Sequence, residues 1–474
     1  MSESFLQRLW RFFGGGKNTE FGELDEEIPV ARVGIVGAGA GGSCAAFFLK
    51  ESLGRRVQID IFEAGEIGGR AESFEYEGKV YELGAAIVYN GNKWFREIAD
   101  KVGAKRVKLK DNGTRMSVYN GTEIVFQSGY FSLTSLYRIF RQYGWVPMKY
   151  GNLAKKQFLS KFKNIYKNQQ KGEAYDSPKE MLESVEMYDY TQTSARKLLQ
   201  EKFGGYRGEA AFEEELAAAV NRVNYNQGMD INAFAGLVSY LPAADSNLFV
   251  LKNGIDEVPK KVLEYVNAKV VNSRVTSVKK QEDGSINIET RAKEGDPVLH
   301  DSYDAVIVAT PLEMFEAAFS GFDMPKIPSR QFQTTVTTYV RGKLKSKYFN
   351  ADWLPKKSAV FVTEHAKTPF SSVAFKEQFS DGTQLFKIFS SEAPSKSVLS
   401  DMFEKPEIVS QREWLAYPVF DPPETFSPFV FTPGIFYNNA IENSASALEM
   451  SAIAGKNSAN LSVKYLREKF SESW

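Results

Sequence analysis

Ala31-Arg-Val-Gly-Ile-Val36 runs directly into Gly37-Ala-Gly39-Ala-Gly-Gly42, and Ser43 to Lys50 (SCAAFFLK) follows. The first run is short and rich in β-branched residues, which predicts a buried parallel strand. The last reads as a helix. A G-x-G-x-x-G between a strand and a helix is the context in which it binds a dinucleotide. Gly37 permits the tight turn, Gly39 lets the backbone approach a pyrophosphate, and Gly42 lets the helix pack close to the sheet. The helix start then offers N–H donors and partial positive charge to the phosphates. Val57 to Phe62 (VQIDIF) reads as the second strand and ends in Glu63. An acid about 20 residues past the last glycine accepts hydrogen bonds from ribose hydroxyls. This unit predicts an α/β fold with a Rossmann-type dinucleotide domain.

The next segment indicates which dinucleotide. Gly68-Gly69-Arg70 follows the ribose acid at once, and Tyr81-Glu82-Leu-Gly84-Ala85-Ala86 adds a strip of small residues. A cationic glycine loop there can wrap the pyrophosphate from the other side. Long FAD, buried end to end, needs such elements; NAD usually does not. The pattern resembles the FAD-dependent amine-oxidase superfamily. That resemblance implies non-covalent FAD, with Glu82 and Gly84 in the strip beside it. It also implies backbone contacts from Val275 to adenine, a ribityl contact from Glu442, and Met450 on the helix start facing the flavin. Ala440-Ile441-Glu442 departs from the superfamily's usual Gly-Asp or Gly-Thr-Glu. Cys44 lies in the first helix, remote from the flavin ring, and reads as a small packing residue.

The whole composition is ordinary for a soluble globular protein and argues against wholesale disorder or a multispan membrane protein. The chain has 474 residues, 43% hydrophobic and 25% charged. Lys+Arg and Asp+Glu are 59 each, which argues against a nucleic-acid binder held by phosphate contacts. One cysteine excludes an intramolecular disulfide and a cysteine metal cluster. The two histidines, His300 and His365, are far apart and read as surface or structural residues, so no metal is expected. Aromatic residues reach 14%, enough to line a large apolar cavity or a lipid-facing patch.

The cofactor segments are discontinuous: 31–90, 247–312 and 431–470. Residues 91–246 and 313–430 then form a mixed-sheet substrate domain with a helical cap, and 1–30 a tail. Arg115 to Gln127 alternates around Asn120-Gly121, which predicts a type I′ hairpin. Lys269 to Val278 reads as one strand, Tyr303 to Pro311 as another, and Ala445 to Tyr465 as a helix. Residues 130–225 are mostly helical by pattern. Between Gly151 and Gly172 there are six lysines and no acids, with Phe158, Leu159, Phe162, Ile165 and Tyr166 at helical spacing. Such a helix either packs on its own core, the favoured reading, or contacts an anionic membrane peripherally. Phe5 to Phe13 admits the same two readings. The sequons at Asn112, Asn120 and Asn460 carry little information.

Several segments together resemble the prenylcysteine oxidase and farnesylcysteine lyase family. They are Val36 to Gly42, Glu66 to Arg70, Asn221-Arg-Val-Asn-Tyr225 with Ile231 to Ala235, Pro328-Ser-Arg330 with Thr335 to Thr338, Gly434-Ile with Ile441-Glu442, and Ala447 to Ala454. The resemblance implies a flavin thioether oxidase. Prenylcysteine, debris of prenylated-protein breakdown, loses a hydride to the flavin from the prenyl carbon beside sulfur. Water attacks, and cysteine and a prenyl aldehyde leave. Oxygen then reoxidises the flavin and yields hydrogen peroxide. The catalytic residues are left unassigned, since the cofactor carries the hard step. Arg222, Asn224 and Tyr225 are the candidate substrate contacts, with Phe234 along the prenyl tail. Arg222 either pairs with the substrate carboxylate or bridges to Glu214 or Glu215. The family's animal members reach lysosomes, whereas this chain begins with no clean signal-peptide core. The alternatives are a flavin amine oxidase, another FAD oxidoreductase on an apolar substrate such as a carotenoid or fatty acid, or a non-catalytic lipid-binding flavin fold.

Overall fold

In a computed structural model of the chain, residues 30–109, 113–129, 132–245, 247–292 and 295–471 are described. The segment Phe5 to Phe13 and the sequon at Asn112 lie outside the described residues. Strand β1 (Ala31–Val36) leads into helix α1 (Ala40–Leu53), and strand β2 (Val57–Glu63) returns beside β1. β1 sits inside a six-stranded sheet, flanked by β2 and Ala305–Val308. Lys269–Asn272 pairs with β2, and Ile435–Tyr437 with Ala305–Val308, all in parallel. Val430–Thr432 closes the edge antiparallel. β1 is buried at nearly every position, which explains a continuous apolar run in place of alternation. Register places Val36 beside both Phe62 and Val308. The three central strands therefore end level, and a crevice at their carboxyl ends is where such sheets bind ligands.

A seven-stranded sheet forms the other half. Its order is Phe403–Pro418, Phe332–Leu344, Gln384–Ser390, Ser372–Gln378, Ser358–Val362, Arg115–Tyr119, Ile124–Gln127. Helices between Ser132 and Ala244 cap it. The apolar residues of the lysine-rich stretch, Phe158 to Tyr166, are buried. Phe158 and Phe162 pack against Phe234 at ring distances of 4.9 and 6.2 Å. That face belongs to the protein's own core, as favoured from the sequence.

Three local expectations need correction. Lys269 to Val278 is two strands in different sheets, Lys269–Asn272 and Arg274–Lys280. The chain breaks at Ser273, whose N–H bonds the Val271 carbonyl at 2.9 Å. At the hairpin only Gly121 has a positive φ, so the turn is not type I′. Asn120 Oδ1 instead accepts the N–H groups of Thr122 and Glu123, both at 2.8 Å, and closes a longer loop. The last helix runs Leu448–Lys469, starting three residues later than its sequence pattern suggests. The sequon residue Asn460 is buried, its amide bonded to the carbonyls of Gln169 and Glu173.

Candidate functional site

Between the level strand ends and the seven-stranded sheet lies a cavity of about 1280 Å³. A site for one small molecule spans roughly 300–1,000 Å³, so this one has room for two. Its lining starts at the glycine loop after β1. Gly37 takes φ +100°, and a Cβ there would stand 2.9 Å from the Ala309 carbonyl oxygen. A Cβ on Gly42 would stand 1.9 Å from the Gly37 oxygen. Both glycines are required by the fold itself. Gly39, at the start of α1, faces the cavity. Gly68 forms a β-bridge with it, and the Gly68 N–H bonds the Ala38 carbonyl at 3.1 Å. The second glycine loop is thus laid against the first, and Gly69 lines the cavity beside it.

Glu63 closes the end of β2. Its Oε2 accepts the Ala38 N–H at 2.7 Å and its Oε1 the Gly65 N–H at 2.8 Å. The carboxylate thereby stiffens the loop while keeping lone pairs for the cavity it lines. Val275 lines the same end, next to Ser273 and Arg274. Met450 lines the opposite part, in the first turn of the last helix. Its neighbour Glu449, which sequence reasoning missed, accepts the N–H groups of Trp94 and Phe95 at 2.8 and 3.0 Å. Burial pushes the Glu449 carboxyl up to about 7.

The structure brings two of the predicted cofactor contacts into contact with each other. Arg70 Nη2 pairs with Glu442 Oε1, and its Nη1 donates to the Ala416 carbonyl at 2.8 Å. Arg70 still lines the cavity; Glu442 does not. The expected ribityl contact from Glu442 is therefore corrected, because its side chain is turned onto Arg70 and Arg330. Asn439, three residues before it, lines the cavity instead, and its buried Oδ1 has no donor. The Trp414 indole N–H, also on the wall, has no acceptor. No local pattern in the sequence marks either residue.

Glu82 stands behind Gly84. Its Oε1 accepts the Ile255 N–H at 2.9 Å, and burial pushes its carboxyl up to about 8. Lys387 Nζ donates to the carbonyls of Glu82 and Gly84 at 2.7 and 3.3 Å, fixing the small-residue strip. Gly84 lines the cavity and Glu82 does not. Burial, then the charge of Lys376, holds the Lys387 ammonium well below its ordinary pKa.

The remaining wall carries a group of aromatic residues: Phe158, Phe162, Tyr225, Phe361, Phe389 and Tyr417. Tyr225 packs edge-on against Tyr417 at 5.3 Å. Asn224 lines the cavity while its amide holds Ser239 Oγ at 2.9 Å. Two expectations fail here. Phe234 lies behind Phe158 and Phe162 and does not reach the cavity. Arg222 does not line it either: its Nη1 donates to the carbonyls of Thr363 and Glu364 at 2.5 and 2.9 Å. It pins that turn to the cap, off the cavity lining, and forms no ion pair with Glu214 or Glu215.

Cys44 is buried in α1. His300 bonds Thr290 Oγ1 at 3.0 Å, and His365 lies exposed beside Glu214. Among the described residues no cluster of His, Cys, Asp or Glu is arranged to hold a metal ion. The donor set does fit a flavin dinucleotide. The glycine cradle, with its helix N-terminus, and the carboxylate of Glu63 line the same cavity.

Comparison with known proteins agrees with this geometry. A family profile described as prenylcysteine lyase matches residues 126–473, and one for an NAD(P)-binding Rossmann-like domain matches residues 35–102. Prenylcysteine oxidase 1 of Mus musculus is 31% identical over 92% of this chain and 90% of its own length. Farnesylcysteine lyase of Arabidopsis thaliana is 29% identical over 95% and 92% respectively. A cofactor-binding variant of putrescine oxidase superposes with a TM-score of 0.59 at 16% identity, covering 90% of this chain and 98% of that one, a likeness of fold alone. With the profile spanning most of its length and full-length relatives near one-third identity, the chain belongs to the prenylcysteine lyase family.

Proposed function

We propose that this protein is an FAD-dependent thioether oxidase that cleaves prenylcysteine to cysteine, a prenyl aldehyde and hydrogen peroxide. The observation that carries the reading is one cavity joining a dinucleotide cradle to an aromatic bowl. Segments 31–90, 247–312 and 431–470 hold the cofactor; 91–246 and 313–430 shape the substrate side. FAD supplies the hydride acceptor when bound. The chain's own residues bind, orient and dehydrate. Phe158, Phe162, Phe361 and Phe389 offer the prenyl tail an apolar wall and exclude bulk water from the reacting carbon. Lys387 holds the Glu82–Gly84 carbonyls in place.

With Arg222 occupied elsewhere, the substrate carboxylate takes Lys376. This lysine lines the cavity from Ser372–Gln378 and forms no ion pair with a described residue. The other cations on the wall are engaged: Arg70 with Glu442, Arg412 with Glu72, Lys387 with carbonyls. Arg274 sits at the Glu63 end.

The test is anaerobic mixing of the FAD-loaded protein with farnesylcysteine, a polyamine and a monoamine in turn. Flavin absorbance should bleach with the thioether alone, and peroxide should appear on admitting air. Bleaching by an amine and not by the thioether would overturn the reading. In the same assay Lys376→Met should weaken farnesylcysteine roughly tenfold, the scale of one charge-assisted hydrogen bond, and its methyl ester little. Equal losses would make Lys376 a packing residue. Glu63→Ala should weaken FAD itself by about 1–3 kcal/mol, read by flavin fluorescence titration of apoprotein. Unchanged affinity would remove Glu63 from the cofactor site.

A further inference from the structure

Helix Ser132–Tyr143 lies on the surface with only Tyr143 buried. Leu133 is 80% exposed, Tyr137 63% and Leu136 50%. Their spacing of three and four puts them on one face, and Phe140 continues it one turn on. Trp145, 58% exposed, packs edge-on against Phe140 at 4.9 Å. A contiguous apolar patch of this kind on a folded surface marks an interaction site. Its own stretch of chain carries one sign of charge; the acids packed against the helix, Glu215 on Gln142 and Tyr143 and Glu209 in the adjoining turn, come from another segment. From Ile124 to Gly172 the sequence holds nine Lys and Arg residues and no Asp or Glu, in a chain whose net charge is +0. Arg207 stacks over Phe140 at 6.0 Å, and Lys149 over the exposed Tyr206 at 4.6 Å.

We propose that this face docks on an anionic lipid bilayer, with Leu133, Leu136, Tyr137 and Trp145 entering the interface and the cations meeting the headgroups. The combination of a protruding apolar ridge with a basic flank is that of an interfacial helix. A second copy of the chain is disfavoured as occupant, because a two-fold contact would set Arg138, Arg141 and Lys149 against themselves. The position also serves the cavity. Thr114 is on the cavity wall, and the next residues pair with the segment leading to the helix: Ser128 N–H bonds the Met116 carbonyl at 2.8 Å, and Ser135 Oγ bonds the Gly129 carbonyl at 3.2 Å. Docking there brings that part of the cavity wall towards the membrane. Among the described residues no helix is long and apolar enough to cross a membrane, so the contact is peripheral. The proposal stands independently of the thioether reaction.

The test is co-sedimentation of the full FAD-loaded chain with vesicles of phosphatidylcholine alone or mixed with phosphatidylserine. The protein should pellet with the mixed vesicles, and less so as salt is raised. The variant L133S/L136S/Y137S should lose binding by roughly tenfold or more with flavin content unchanged. R138E/R141E, which leaves the apolar ridge intact, should lose the preference for phosphatidylserine. No binding of wild type to the mixed vesicles, or equal binding by both variants, would overturn the proposal. So would a wild-type dimer in gel filtration that the serine variant dissociates.

Discussion

Gly39→Val is expected to yield a folded protein that retains no flavin. Gly39 has φ −75° and ψ −172°, an extended conformation open to any residue. A Cβ built there would meet nothing of the protein nearer than the Gly68 carbonyl oxygen at 3.7 Å. The bare chain therefore gives no reason for a glycine at this position. Gly42, three residues on, differs: its Cβ would collide with the Gly37 carbonyl, so a substitution there damages the turn itself. The space beyond Gly39 is the cavity, at the N-terminus of α1, where the first N–H groups have no intrahelical acceptor. A pyrophosphate bound by those groups would come within contact of the Gly39 Cα, and valine methyl groups would occupy its place. The check is flavin released per protein on denaturation, read beside the unfolding midpoint of the apoprotein. An unchanged midpoint with no flavin is the expected pair. Stoichiometric flavin would show that the pyrophosphate lies elsewhere.

The glycine loop and Glu63 were legible in the sequence because their partners are local. Gly37 to Glu63 is one strand–helix–strand unit, and its spacing alone fixes the geometry. The bowl was legible only as an excess of aromatic residues. Which of them line it depends on packing between distant segments, and Phe234 was misplaced because Phe158 and Phe162 stand in front of it. Arg222 was misread for the same reason. Its partners, the Thr363 and Glu364 carbonyls, are more than a hundred residues away and carry no side-chain signature. Turn chemistry also yielded to context. Asn120-Gly121 favours a two-residue turn in isolation, but Arg115–Tyr119 is also paired in parallel with Ser358–Val362, and the loop closes through the Asn120 side chain. Glu442 was placed on the correct short segment, one turn from the wall residue Asn439. Nothing in the sequence shows that two arginines turn it inward.

One of those arginines carries the second large effect: Arg330→Met is expected to destabilise the protein by about 3–5 kcal/mol, the cost of removing one partner from a buried ionic network. Arg330 makes five hydrogen bonds: two to Glu313 at 2.7 and 3.2 Å, and one each to the Asn439 carbonyl, Asn443 Oδ1 and Tyr437 Oη at 3.0–3.1 Å. Glu442 Oε2 lies 3.7 Å away. The guanidinium thus ties the turn after Ala305–Val308 to the segment Asn438–Asn443, at the entry to the seven-stranded sheet. Methionine fills similar volume, so the loss is electrostatic and not a cavity. It leaves Glu442 buried with Arg70 as its remaining cation, and Oε2 already lacks a donor. Arg330→Lys keeps the charge but cannot form the planar fork to Glu313, so it should fall between wild type and methionine. Denaturant midpoints of the three apoproteins measure the first effect. Flavin affinity should fall in the same order, because Arg330 holds the backbone of Asn439, a residue of the cavity wall. If apoprotein stability is unchanged while flavin affinity drops, the network organises the cofactor wall without supporting the fold. If neither moves, the pairing of Arg330 with Glu313 and with the buried Glu442 does not form.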